Sequence, residues 1–156
     1  IIKGTGIINF DKKIIGRRAP SRARRLASKD STIISTVRPY LKGFAYIDKE
    51  YKDTIFSTGF AILKSKDEKI LLNKLVYSYF MFSNELMRQM ELAMPKASYP
   101  SINKDDIENF LIPIPNINTQ IKILNEIEKR EKEIIKSQLI VNSTDEEKQK
   151  ILNKYL

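Results

Sequence analysis

Five arginines stand within nine residues of this chain, in RRAPSRARR from Arg17 to Arg25. With Arg38, six of the eight arginines fall within 22 positions, whereas the 20 lysines are spread along the whole length. The flat guanidinium carries a rigid fork of donors that matches phosphate oxygens and the guanine edge. A local preference for arginine over lysine therefore points to recognition of a polyanion. Arg17, Arg18, Arg22 and Arg38 are candidates for reading base edges, and Arg24, Arg25 and Lys42 for phosphates. Tyr40, Lys96, Ser98, Tyr99 and Ser101 form a second group, which adds hydroxyls, a cation and aromatic faces. The structural alternatives are a solvated basic surface for the cluster, an ion pair for Arg38 and simple packing beside Pro100 for Tyr99.

Catalytic chemistry has less to work with. The chain has no cysteine and no histidine, which removes disulfides, thiolates and the side chain most used for proton transfer near neutrality. Absence of cysteine agrees with a reducing, cytoplasmic setting. Two nuclease-like spacings occur, Asp53 with Asp67-Glu68-Lys69 and Asp30 with Glu50-Tyr51-Lys52. In a sequence this rich in Lys and Glu they arise by chance. Lys3-Gly4-Thr5-Gly6 lacks the ending of a phosphate loop, and no Asn/Asp-Pro-Pro motif is present for holding a flipped base. No cofactor or metal is expected.

The basic charge is uneven. Residues 1–66 hold 15 Lys plus Arg against 5 Asp plus Glu, a net +10, and residues 67–156 hold 13 against 14, a net −1. With 42% hydrophobic and 30% charged residues over 156 positions, the chain suits one folded domain and neither a disordered polymer nor a membrane protein. No apolar run approaches the ~20 residues that span a bilayer.

These side chains need elements to hold them. Residues 6–16, GIINFDKKIIG, predict a hairpin with DKK as its turn. The β-branched density of Ser31–Val37 predicts a strand, ended by Arg38-Pro39 because the proline cannot donate to a ladder and pushes Arg38 out of the helical region. Gly43–Ile47 and Thr54–Leu63 predict two more, the latter bent at Gly59. From Ile70 to Met94 the period changes to three and four residues, so a single helix is expected, with Met81, Met87, Met90 and Met94 as core. Asn103 should cap a short helix over KDDIENF, and LIPIP (Leu111–Pro115) should lie extended at a sheet edge. Asn118–Val141 predicts a helix of about six turns, whose stripe of Leu124, Ile127, Ile134 and Val141 is too narrow for a core and calls for a partner helix. Asn142-Ser143-Thr144 should break it, with Thr144 and Glu147 capping a final helix. The fold class is α+β, a mixed or antiparallel twisted sheet with packed helices, then a long helix and a short final one. Domains are expected at 1–116 and 117–156.

Taken from residues alone, three functions fit. The chain could bind particular DNA sequences, bind nucleic acid without preference, or dock other proteins through Asn118–Leu156. APSRARRLASKDSTIISTVRPYLKGFAYI, with the later STGFAIL, resembles the core of the target-recognition domains of type I restriction-modification specificity subunits and of related fused restriction-methylation enzymes. SYPSINKDDIENFLIPIPNINTQIKILNEIE resembles the exit of such a domain into its spacer helix. The likeness runs in order from Ala19 to Glu128. It departs at Pro115–Gln120, where the family has a proline-rich acidic stretch, and at Lys96-Ala97-Ser98, where a glycine is usual.

The resemblance implies a non-catalytic module that reads one half-site of double-stranded DNA. Its spacer would pair with a second spacer, in a homodimer or within a longer subunit, and dock bacterial methyltransferase and restriction subunits. The short segment before Gly16 suggests a chain that begins inside a longer polypeptide.

Overall fold

A computed structural model of the chain describes every residue except 11–13, 52, 53 and 156. It divides into two compact units, Ile1–Ile117 and Asn118–Leu156.

The first unit is built around two antiparallel sheets. Strands β1 (Ala23–Leu26) and β4 (Ile55–Ser57) form one. Strands β2 (Ser31–Ser35), β3 (Phe44–Ile47) and β5 (Phe60–Leu63) form the other, in the order β3-β2-β5. β2 is the central strand, and period-2 alternation sends its two isoleucines to opposite faces. Ile34 joins its cross-strand partner Phe44 in a core with Val76, Phe80, Leu86 and Met90. Ile33 joins Ile47 and Phe56 in a second core on the other side. Burial on both faces suits the β-branched run Thr32-Ile33-Ile34 at the centre of the strand, with both isoleucines fully buried.

Helices α1 (Asn73–Phe82) and α2 (Asn84–Ala93) supply the wall of the first core. The single helix expected over Ile70–Met94 is thus two. Ser83 is extended, and its hydroxyl accepts from Leu86 N at 3.2 Å, so it caps the second helix at the point where the first ends. Met81 and Met90 are buried and Met87 and Met94 pack against the same core, as expected. α3 (Lys104–Glu108) opens with a capping box: Asp106 N donates to Asn103 Oδ1 at 3.0 Å and Asn103 N to Asp106 Oδ2 at 2.7 Å.

Several expectations are corrected. Residues 6–10 and 14–15 form no strand, Gly6 has φ of +76°, and Gly16–Arg18 is a 3-10 turn, so no hairpin strand is found among the described residues; the DKK turn lies outside them. Thr54–Leu63 is not one bent strand. It is two strands in different sheets, and the chain crosses between them at Thr58-Gly59. β1, unforeseen, runs through the arginine cluster. Arg38 lies outside the right-handed helical region, as expected before proline, and takes the left-handed one (φ 47°, ψ 55°). Leu111–Pro115 joins no sheet: Gln89 bonds both the N–H and the carbonyl of Leu111, at 2.8 and 3.0 Å, and Tyr79 donates to the carbonyl of Pro113 at 2.6 Å.

The second unit is one helix. α4 starts at Ile117 and runs unbroken to Tyr155, 39 residues, with no interruption at Asn142-Ser143-Thr144 and no separate final helix. The hydroxyls of Ser143 and Thr144 turn back to the carbonyl of Ile140, at 2.8 and 2.9 Å, instead of capping a new start. Without Gly or Pro nothing else stops the helix. Of the expected stripe, Leu124 is buried, Ile127 half-buried, and Ile134 and Val141 exposed. Seven residues apart, Ile134 and Val141 lie about 20° from one another around the axis. Among the described residues no helix is long and apolar enough to cross a membrane.

Candidate nucleic-acid interface

Beyond the end of β2, three segments are laced together by main-chain bonds. Thr36 N donates to the carbonyl of Gly59 at 2.9 Å, and its hydroxyl does the same at 3.0 Å. On its other side, Ile102 N donates to the carbonyl of Thr36 at 2.9 Å, Arg38 N to that of Pro100 at 2.9 Å, and Val37 bridges Ser101. The β4–β5 turn and the 96–102 segment therefore flank the exit of one strand.

Arg22 is fastened to this frame. Thr58 N donates to the Arg22 carbonyl at 2.7 Å, and Arg22 Nε donates to Thr58 Oγ1 at 3.2 Å. The side chain is exposed, and its terminal nitrogens have no acidic partner among the described residues. Thr36, Thr58 and Gly59 were not singled out from sequence as site residues. The signal was present in the run Ser57-Thr58-Gly59, where a hydroxyl pair precedes the one residue without a side chain.

Arg38 sits opposite, half-buried, in a different posture. Its guanidinium carbon lies 4.6 Å from the centroid of the Tyr99 ring, and Nη2 donates to the carbonyl of Ser98 at 3.2 Å. Nε is buried with no hydrogen-bond partner. The ion pair considered for Arg38 is not formed among the described residues; its contacts are to backbone and to an aromatic face. Tyr99 itself is 72% exposed, and Lys96, Ser98 and Ser101 are exposed beside it in sequence.

Lys42 is committed elsewhere. It too is left-handed (φ 49°), and its ammonium donates to the carbonyl of Met81 at 2.9 Å, in the last turn of α1, where unpaired carbonyls and the helix dipole favour a cation. Tyr40, in the 3-10 turn Pro39–Leu41, is exposed.

The remaining arginines lie on and before β1. The register slips between Ala23 and Arg25, so Arg24 is the extra residue of a bulge, a device that re-aims side chains. Arg24 Nε donates to the carbonyl of Ser21 at 2.7 Å, which leaves its terminal nitrogens outward. Arg25 is exposed, and Arg17 and Arg18 are exposed in their 3-10 turn. The structure thus brings Arg22, Arg38, Ser98, Tyr99 and Ser101 to one frame, places Arg24 and Arg25 on the adjoining strand, and turns Lys42 inward.

The carboxylates are tied to the fold. Asp30 Oδ1 accepts from Tyr46 at 3.0 Å, Glu50 from Lys29 N at 3.0 Å, Asp67 from Lys69 N at 2.8 Å and Glu68 from Asn73 at 2.7 Å. Asp53 and Lys52 of the nuclease-like spacings lie outside the described residues. Burial and the Asp30 carboxylate push the Tyr46 hydroxyl well above its usual pKa.

The family model for the type I restriction modification DNA specificity domain matches residues 23–142. Among solved structures, the chain is similar to the HsdS subunit from Thermoanaerobacter tengcongensis, with 30% identity and a TM-score of 0.71 over 85% of this chain and 34% of that one. It is also similar to a chain from a structure concerned with complex assembly and conformational transition of the type I R-M system. There the identity is 28% and the TM-score 0.70 over 83% of this chain and 33% of that one. The chain therefore spans about a third of the length of these relatives. A search of curated proteins finds no match.

Proposed function

The chain belongs to the type I restriction modification DNA specificity domain family, and from that premise we propose that it is the non-catalytic part of a type I-like restriction-modification system that reads one half-site of double-stranded DNA. Ile1–Ile117 would read the DNA. α4 would serve as the spacer, pairing with a second helix, in a homodimer or in a longer subunit, and docking methyltransferase and restriction subunits in the cytoplasm.

One observation carries this reading. Arg22 flanks the exit of the most buried strand, fastened through Thr58 to a main-chain frame and joined in no ion pair among the described residues. Arginines used only as counterions need no such fastening, whereas discrimination between bases needs donors held in place. Further support comes from α4, where Ile134, Val141 and Leu152 are exposed along one face of a helix of 39 residues. An apolar stripe of this kind is stable in water when a partner covers it.

Selection from a randomised duplex library, with methyltransferase subunits present and absent, tests the proposal. One recovered DNA word that withstands excess random DNA supports it. Equal binding of selected and random duplexes at every salt concentration overturns it and leaves non-specific nucleic-acid binding.

A further inference from the structure

Resting on that reading, we propose that Tyr99 meets the methyl group of a thymine in the major groove, and that Arg38 is a positioning residue that holds Tyr99 there without itself touching DNA.

The contacts that Arg38 makes are all with its own chain. Its backbone N–H is bonded to Pro100, one terminal nitrogen to Ser98, and its plane lies over the Tyr99 ring. Its Nε is buried. Every one of these contacts is to the same three residues, Ser98, Tyr99 and Pro100. The backbone at Arg38 is left-handed, which is unfavourable for a side chain of this kind. Residues 98–100 are further clamped by the bridge of Val37 to Ser101 and by the bond from Ile102 to Thr36. The Tyr99 ring is supported from one side by a cation and keeps 72% of its surface in solvent.

An aromatic ring projecting from a basic frame meets, in an intact duplex, mainly polar base edges. The major groove presents one apolar group, the C5-methyl of thymine. Contact with it removes apolar surface on both partners from water. Lys96, nearby in sequence and exposed, suits an adjacent phosphate.

The test uses the whole protein in its native assembly, the selected duplex, a random duplex of equal length, and selected duplexes in which each thymine in turn is uracil. At one thymine, uracil weakens wild-type binding roughly fourfold, the worth of one buried methyl. Tyr99→Ala and Arg38→Ala each lose at least that factor and become insensitive to uracil at that position. The double variant is no weaker than the worse single one, and the salt slope is unchanged throughout. Additive losses, a slope reduced by about one in Arg38→Ala, as for a lost phosphate contact, or no uracil effect at any thymine would each overturn the inference. If Arg38→Ala does not fold, Tyr99→Ala, at an exposed side chain, still decides between sensitivity and insensitivity to uracil. Wild-type protein with no preference for the selected duplex would sink the half-site reading itself, and this inference with it; preference without a uracil effect sinks this inference alone.

Discussion

A Cβ added to Gly59 would lie 3.2 Å from a terminal guanidinium nitrogen of Arg22 and 3.7 Å from Ser57 Oγ. The absence of a side chain at one residue thereby sets the pose of another. Gly59→Ala should shift the Arg22 fork and leave the fold intact, since the obstructed group is the mobile end of a long side chain. Selectivity for the recognised duplex should fall by up to the ~1–3 kcal/mol that a bidentate arginine–base contact provides, with the melting temperature within a few degrees of wild type. Competition binding against random DNA measures the first and calorimetry the second. Unchanged selectivity would remove Arg22 from the reading surface.

Arg24 and Arg25 lie on the bulged edge of β1, outside the main-chain frame. They are expected to neutralise phosphates, so Arg24→Ala and Arg25→Ala should each lower the slope of log affinity against log salt by about one. Selected and random duplexes should be weakened alike. A titration from low to moderate salt on both DNAs checks this, and a loss confined to the selected duplex would contradict it.

The hydroxyl of Thr144 bonds backward to Ile140 rather than forward into a new first turn. Thr144→Ala should therefore leave the helical content unchanged and stabilise α4 by a few tenths of a kcal/mol, as expected inside a helix. At a helix start the same change would cost about 1 kcal/mol. Circular dichroism through a thermal ramp distinguishes these. Asn142→Pro, by contrast, should cost about 3 kcal/mol and divide the helix.

Tyr46 is held protonated by burial first and then by its bond to the Asp30 carboxylate, which raises its pKa above the usual 10.0. The unfolded chain loses this proton first as pH rises. The stabilisation is complete below pH 10 and declines as the solution passes from there towards the folded pKa. Tyr46→Phe should flatten that decline. Urea midpoints collected from pH 8 to pH 11 on both proteins are the measurement, and parallel curves would show that Tyr46 is not responsible.

Much of the core was readable because its signals are local and redundant. β-branched density marks β2, and Asn103 with Asp106 marks the start of α3. β1 escaped notice because an exposed strand has no apolar alternation to display: of Ala23, Arg24, Arg25 and Leu26, only the alanine is half-buried. The break at Ser83 and the continuity at Ser143 turn on the same chemistry with opposite outcomes. A serine hydroxyl can bond forward, ending one helix and opening another, or backward, letting the helix run on. Which it does is set by whether the next segment has a core to enter, and tertiary packing decides that. For the candidate site, the clustering of arginines is visible in the sequence, but where the fold places each cation is not. Lys42 resembles any other basic residue in the sequence, and only the fold brings the end of α1 to its ammonium.

The bonds that bind the β4–β5 turn and the 98–102 segment to the end of β2 run almost entirely between amides and carbonyls. Such fastenings are indifferent to what the intervening residues carry. Side chains at positions 58, 98, 99 and 101 can be exchanged while the backbone keeps its outline, and none of them is needed to fill either core. On the proposed reading, a DNA-recognition surface built this way would acquire a new alphabet by changing a handful of exposed residues, with its stability left where it was.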